Sequence, residues 1–157
     1  MEAVDQRVRS RSEAAKGTRA AGKRFEKKCQ DFLTSLGWHV DKARAAVIWI
    51  KGKGGVRPIS TTNDFWGCAD LICVHPNKPF LLVVQCTIGT NVRSKLADLA
   101  QVGWNFDAQR PQVWMPMNET RGGMRTLGAR RQEGGVLQTT EFLWRMTEGE
   151  EPAGNFL

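Results

Sequence analysis

The chain has 157 residues, 41% of them apolar, with six Trp and seven Phe, which is the length and composition of one ordinary soluble domain with enough apolar side chains for a core. Lys and Arg outnumber Asp and Glu by 23 to 16, and the net charge of +7 favours polyanionic partners. The longest apolar run falls far short of the roughly 20 residues of a membrane helix, and the N-terminus is charged where a signal peptide carries its apolar segment; the expectation is a cytoplasmic protein with no membrane contact.

In chain order, Met1 to Ala21 alternates Arg, Lys, Ser, Ala and Glu without an apolar stripe and reads as a basic N-terminal arm. Residues 1–28 hold nine Lys or Arg against four Asp or Glu, an excess that tracks phosphates if it faces nucleic acid and is otherwise a solvated helix face or a disordered tail. From Lys23 the pattern changes, because Phe25, Cys29, Phe32, Leu33 and Leu36 recur at helical spacing and Gly37 supplies a stop. Glu26 lies next to that stripe, and Lys23 and Lys27 continue the basic surface.

Trp38 to Ile50, rich in β-branched and aromatic residues, predicts a strand broken near Lys42 to Ala45 and paired with a central hairpin. Lys51-Gly-Lys-Gly-Gly is a flexible basic tip, and Lys42, Arg44, Lys51, Lys53 and Arg57 spread positive charge along this edge as nucleic-acid-binding candidates. The glycines have no phosphate-loop spacing. Asp64 precedes the next apolar run and serves either as a turn cap or as a reserve acid.

The central hairpin comprises Ala69 to Val74 and Phe80 to Thr87, joined through His-Pro-Asn-Lys-Pro. A four-residue loop from Pro76 to Pro79 sets Asp70 opposite Gln85, and strand alternation puts Thr87 on the same face. A carboxylate, an amide and a hydroxyl therefore converge between two hydrophobic strands. Either Asp70 is solvated or bonded to backbone, as most buried polar groups are, or the trio carries chemistry.

After Thr87, Thr90 or Asn91 is the expected N-cap of a helix reaching about Ala108, with Val92, Leu96, Leu99, Gly103 and Phe106 on one face and Arg93 and Lys95 in its first turn. Gln112 to Met117 reads as a strand, so strand, helix and strand form a crossover suited to parallel pairing. Arg121 to Gly135 is glycine-rich and basic, Val136 to Trp144 reads as an added strand, and residues 145–157 form an acidic tail. The four cysteines, Cys29, Cys68, Cys73 and Cys86, make no Cys-x-x-Cys pair and are expected as reduced, mostly buried thiols.

Asp70, then fifteen residues later Gln85-Cys86-Thr87 at the end of an apolar strand, resembles the signature of the PD-(D/E)XK nuclease superfamily, above all its small Holliday-junction-resolvase-like members, in which an Asp is followed by Glu-x-Lys. The element order from Lys23 resembles that superfamily's αβββαβ core, and Gly22-Lys-Arg-Phe-Glu26 resembles its first-helix acid. The resemblance covers about residues 22–117 and implies an α/β fold, a nuclease-like domain over residues 22–144 with a restriction-endonuclease-like core: a central mixed sheet flanked by helices, with an added C-terminal strand or hairpin. It implies a Mg2+-dependent endodeoxyribonuclease, with Mn2+ able to substitute, acting on branched or otherwise structured DNA as a homodimer. The implied metal ligands are Glu26, Asp70, Gln85 and the backbone carbonyl of Cys86, and the implied catalytic set adds Thr87 and Lys95. Two positions depart from the signature. Gln85 keeps an oxygen but loses a charge, and Thr87 stands where the family has Lys; because that lysine migrates to neighbouring elements in the superfamily, Lys95 is its expected replacement. The alternative is a catalytically inactive DNA-binding protein that retains the fold. No aromatic RNP-like strand motif supports an RNA-binding module.

Overall fold

The computed structural model describes the backbone of residues 2–62, 64–89 and 91–157, and the side chains of residues 13–44, 47–59, 64–89 and 91–157. Two helices flank a six-stranded, mainly antiparallel sheet, and a separate two-stranded ribbon stands apart from it.

Helix α1 runs from Glu2 to Ser35, so helix begins well before the expected start at Lys23, and the basic arm is its first half. Residues 13–20 are all exposed, and among the described residues the helix buries the later stripe of Phe25, Cys29, Phe32 and Leu33, with Phe25, Phe32 and Leu33 each worth roughly 1.5–3 kcal/mol as apolar burial. Gly37 ends it as expected: at φ 87° it lets its own N–H reach Thr34 O and the Trp38 N–H reach Leu33 O, a Schellman closure that a residue with a Cβ would strain. His75 Nε2 lies 3.2 Å from Leu36 O at the same helix end.

Strand β1 (His39–Lys42) pairs antiparallel with β4 (Leu71–Val74), as expected of the first strand and the hairpin. The second half of that expected strand does something else. β2 (Ala45–Gly52) folds back on β3 (Gly55–Thr62) through Lys53-Gly54, and neither strand joins the main sheet. The glycine-rich tip is thus a hairpin turn, with Gly55 at φ 100°. β4 returns antiparallel through β5 (Leu81–Cys86), which pairs in parallel with β6 (Gln109–Pro116) across helix α2 (Val92–Ala100). The parallel crossover is as expected, but the helix ends eight residues short of Ala108. Trp104 Nε1 donates to Leu99 O at 2.7 Å and takes up one of the carbonyls freed at that end, and the Asn105 side chain accepts from Asp107 N–H in a local turn. Asn91 is the N-cap by position but makes no side-chain cap bond; Thr90 lies outside the described residues. The glycine-rich basic stretch is strand β7 (Gly123–Glu133), which forms an antiparallel hairpin with β8 (Val136–Arg145), giving the order β1-β4-β5-β6-β7-β8.

Alternation along β5 sorts the core into two layers. Leu82 and Val84 face α1 together with Leu71, Cys73, Trp114 and Met124, whereas Val83 faces α2 with Val113, Leu127 and Leu99. A central strand covered on both sides needs an unbroken apolar run, which is why Leu81 to Val84 reads as one. The acidic tail does not trail away: Phe156 and Leu157 are buried in the α1 layer, Phe156 stacks on Phe142 at 4.6 Å, and its carbonyl accepts from Gln112 Nε2 at 2.6 Å. All four cysteines are free thiols, three of them buried and Cys86 half-buried. Among the described residues no helix is long and apolar enough to cross a membrane.

Candidate active site

The β4–β5 register extends past the paired strand ends, so Leu71 opposite Val84 places Asp70 opposite Gln85. Asp70 N–H donates to Val84 O at 3.0 Å and holds this register one residue beyond β4. The two side chains meet as the alternation requires. Gln85 Nε2 donates to Asp70 Oδ2 at 2.7 Å, and the Cys86 N–H donates to the same oxygen at 2.7 Å. Gln85 Nε2 also approaches Cys86 O at 3.2 Å. One nitrogen thus sits between two oxygens, the arrangement in which those oxygens would otherwise share a cation. Gln85 Oε1, on the other side of the amide, is buried with no partner among the described residues. An amide oxygen left so costs about 1–3 kcal/mol, which a ligand at that oxygen would recover.

Asp70 is held at a pKa of about 6, against an ordinary 3.8. Burial is the main cause; the Cys86 N–H opposes it, the negative charges of Glu26 and Asp64 add to it, and the positive charge of Lys95 opposes it. These causes also map the site. Glu26 from α1, Asp64 from the turn before β4 and Lys95 from the first turn of α2 all stand near enough for their charges to act on Asp70, although they come from three separate elements.

Of the residues singled out from sequence, Asp70, Gln85 and the Cys86 carbonyl converge directly. Thr87 lies immediately beyond β5, buried, with its N–H on Trp114 O at 2.9 Å. Lys95 is half-buried and makes no ion pair among the described residues. Glu26 is near but engaged, because Lys42 Nζ lies 3.0 Å from its Oε1. Lys42, expected on the nucleic-acid surface, is therefore tied to the acidic cluster, and Lys27 is paired with Asp31 one turn along α1. Lys23, Arg44, Lys51, Lys53, Arg57 and Arg93 are exposed.

Asp64 counts for more than a turn cap. Its carbonyl does accept from Gly67 N–H at 3.0 Å, but its charge also reaches Asp70 and the Cys68 thiol. Trp66, which sequence reasoning passed over, has φ 53° in this turn, a left-handed conformation costly for a bulky residue, and is 55% exposed with its ring edge-on to Trp104 at 5.8 Å. The dipeptide Trp66-Gly67 ahead of a strand was the available signal. Beside Thr87, an open groove of about 430 Å³ lined by Ile88, Gly89, Met115, Met117 and Arg125 lies at the carboxyl ends of the parallel pair β5 and β6.

The donor set fits a small hard cation. The Asp70 carboxylate and the Cys86 carbonyl converge on the Gln85 amide nitrogen, the Gln85 oxygen is buried and orphaned, and the carboxylate lacks a paired cation among the described residues. Among those residues, however, no three His, Cys, Asp or Glu side chains cluster as a metal site, so any ion would depend on the amide of Gln85 turning its oxygen inward and on the Cys86 carbonyl. In comparisons with protein families, curated proteins and solved structures, nothing matches this chain.

Proposed function

We propose that this chain is a metal-dependent DNA endonuclease of the PD-(D/E)XK type, acting on branched or otherwise structured DNA. The observation that carries the proposal is the buried Asp70 carboxylate, hydrogen-bonded to Gln85 across the β4–β5 hairpin, flanked by the charges of Glu26 and Asp64 and held near pKa 6 with no cation paired to it among the described residues. A carboxylate in such a place costs stability, and it is retained most readily where a ligand supplies the missing positive charge. The sequence of elements α1, β1, β4, β5, α2, β6, antiparallel as far as β5 and parallel between β5 and β6, supports an αβββαβ core with the ribbon and the β7–β8 hairpin as additions.

In this reading Asp70, the Cys86 carbonyl and Gln85 Oε1, once its amide turns, would hold Mg2+ or Mn2+, and Glu26, paired with Lys42 here, would be a further ligand. When bound, the ion supplies charge neutralisation at the phosphate and an activated water. The residues do the rest. Asp70 must give up its proton to bind, so the site is competent above about pH 6. The Cys86 N–H fixes the Asp70 carboxylate in place. Lys95 supplies the positive charge that Thr87 cannot, steadying charge on the phosphate oxygens. Exposed Lys23, Arg44, Lys51, Lys53, Arg57 and Arg93 position the DNA backbone.

A second reading, a catalytically silent DNA-binding protein, is favoured by two observations: Thr87 replaces the signature lysine, and Glu26 is occupied by Lys42. One experiment separates the two. Plasmid, linear, single-stranded and four-way-junction DNA are incubated with the protein in Mg2+, Mn2+ or EDTA. The nuclease reading requires cleavage in metal that EDTA abolishes; binding with no cleavage of any DNA selects the silent fold.

A further inference from the structure

The proposed chemistry makes little use of the β2–β3 ribbon, whose strands pair only with each other. A lone two-stranded ribbon is marginal in water, and this one carries exposed apolar side chains on both faces, with Lys51 on one and Arg57 on the other. Register puts Val47, Trp49, Val56 and Pro58 on one face and Ile48 and Ile50 on the other. Trp49 is 66% exposed, Val47 60% and Val56 61%. Large apolar side chains gathered in the open in this way point to a binding surface.

Charge selects the partner. Arg44, Lys51, Lys53 and Arg57 make no ion pair among the described residues, and no Asp or Glu lies between Lys42 and Asn63 in sequence. A second copy laid ribbon on ribbon would bring these like charges together, whereas a polyanion neutralises them. Position agrees with charge. The ribbon's first root is bonded to the site, Ala43 N–H donating to Asp70 O at 2.9 Å, and its second strand ends at Thr62, two residues before Asp64. Strands of eight residues extend about 25 Å at roughly 3.3 Å per residue, so DNA held at Asp70 lies within the ribbon's reach. A two-stranded ribbon fits the major groove, and apolar side chains enter a base stack most cheaply where it is already open.

We infer that the ribbon inserts into DNA bound at the Asp70 site and that Trp49 stacks on an unpaired base, so that the preferred substrate class is DNA with unstacked positions, at a branch or bulge, over uniform duplex. This rests on the DNA-directed reading above and adds the element that recognises the substrate.

The test is binding in EDTA, where no hydrolysis intervenes, to an intact duplex, a duplex with a three-nucleotide bulge carrying 2-aminopurine, and a four-way junction. The parental protein should bind the bulge and the junction at least about tenfold more tightly than the duplex and quench the 2-aminopurine; Trp49→Ser should lose about tenfold on both and the quenching, with duplex affinity unchanged, while Trp49→Phe keeps most of each. Equal parental affinities, absent quenching, or a Trp49→Ser protein that retains the preference would each overturn the inference. So would a dimer that Trp49→Ser turns into monomer in sedimentation with DNA binding intact, which assigns the ribbon to a second copy. Should the serine variant not fold, parental quenching decides alone. Bulge discrimination without cleavage of any DNA in Mg2+ overturns the nuclease reading and leaves the ribbon's role; indiscriminate cleavage unaffected by Trp49→Ser does the reverse.

Discussion

Asp70 links stability to function through one proton. Its folded pKa of about 6 exceeds the ordinary 3.8, so between those values the folded chain binds more protons than the unfolded one, and stability falls as pH rises through that window. Above it the ionised carboxylate leaves the fold weaker by up to about 3 kcal/mol. Asp70→Asn keeps an oxygen for the Gln85 and Cys86 donors and removes the charge, so it should raise stability by about 1–3 kcal/mol at pH 8 and leave it unchanged at pH 3. Urea denaturation of parent and variant at both pH values checks this. Millimolar Mg2+ should then raise the parental midpoint and not that of the variant, and cleavage by the variant should be lost while DNA binding persists. Lys95→Ala should slow single-turnover cleavage by about a hundredfold with little change in affinity, and Thr87→Ala should slow it less; a Lys95→Ala enzyme at the parental rate would remove Lys95 from the chemistry. The pairing of Asp70 with Gln85 was legible in sequence because strand alternation and a short turn fix register over a few residues. The Glu26–Lys42 ion pair was not, because it joins a helix to a strand whose relative placement depends on packing.

At the level of elements, strongly periodic segments were readable and their ends were not. The stripe from Phe25 to Leu36 and the run Leu81 to Val84 are apolar throughout, whereas residues 2–21 carry no apolar stripe in sequence and are helical nonetheless. The partner of β2 was not legible and β3 was not expected at all, because β-branched residues signal a strand without naming its partner, and Ile48 pairs with Ile59 across the glycine tip instead of with the main sheet. The first half of α1 carries Lys16 and Arg19 in its exposed stretch, so deleting residues 1–20 should weaken DNA binding and flatten its salt dependence, as measured by affinity between 50 and 300 mM salt, by roughly one unit of slope for each phosphate that is no longer neutralised. An unchanged slope would place that half of the helix off the DNA. The final segment contributes differently. Phe156 is buried against Phe142 and Trp144, and Phe156→Ala should cost about 3–5 kcal/mol in urea denaturation.

Across the whole molecule, cleavage should rise with pH through about 6 and then level off, since the site needs Asp70 ionised; a rate independent of pH between 5 and 8 would detach the chemistry from that carboxylate. The layering of two helices on a sheet followed from alternating patterns in the sequence, while the ribbon's separation from the sheet belongs to tertiary packing. That separation bears on inheritance. The chain leaves the main sheet after Ala43, whose N–H is already bonded to Asp70, and is back beside it by Phe65, which bridges Ala69. Closing a loop costs only about 0.6 kcal/mol more for each doubling of its length, so the excursion between these two points can be lengthened, shortened or replaced with little penalty to the pairing of β1 with β4. The projecting ribbon can therefore change in length without disturbing the fold around the acid at its root.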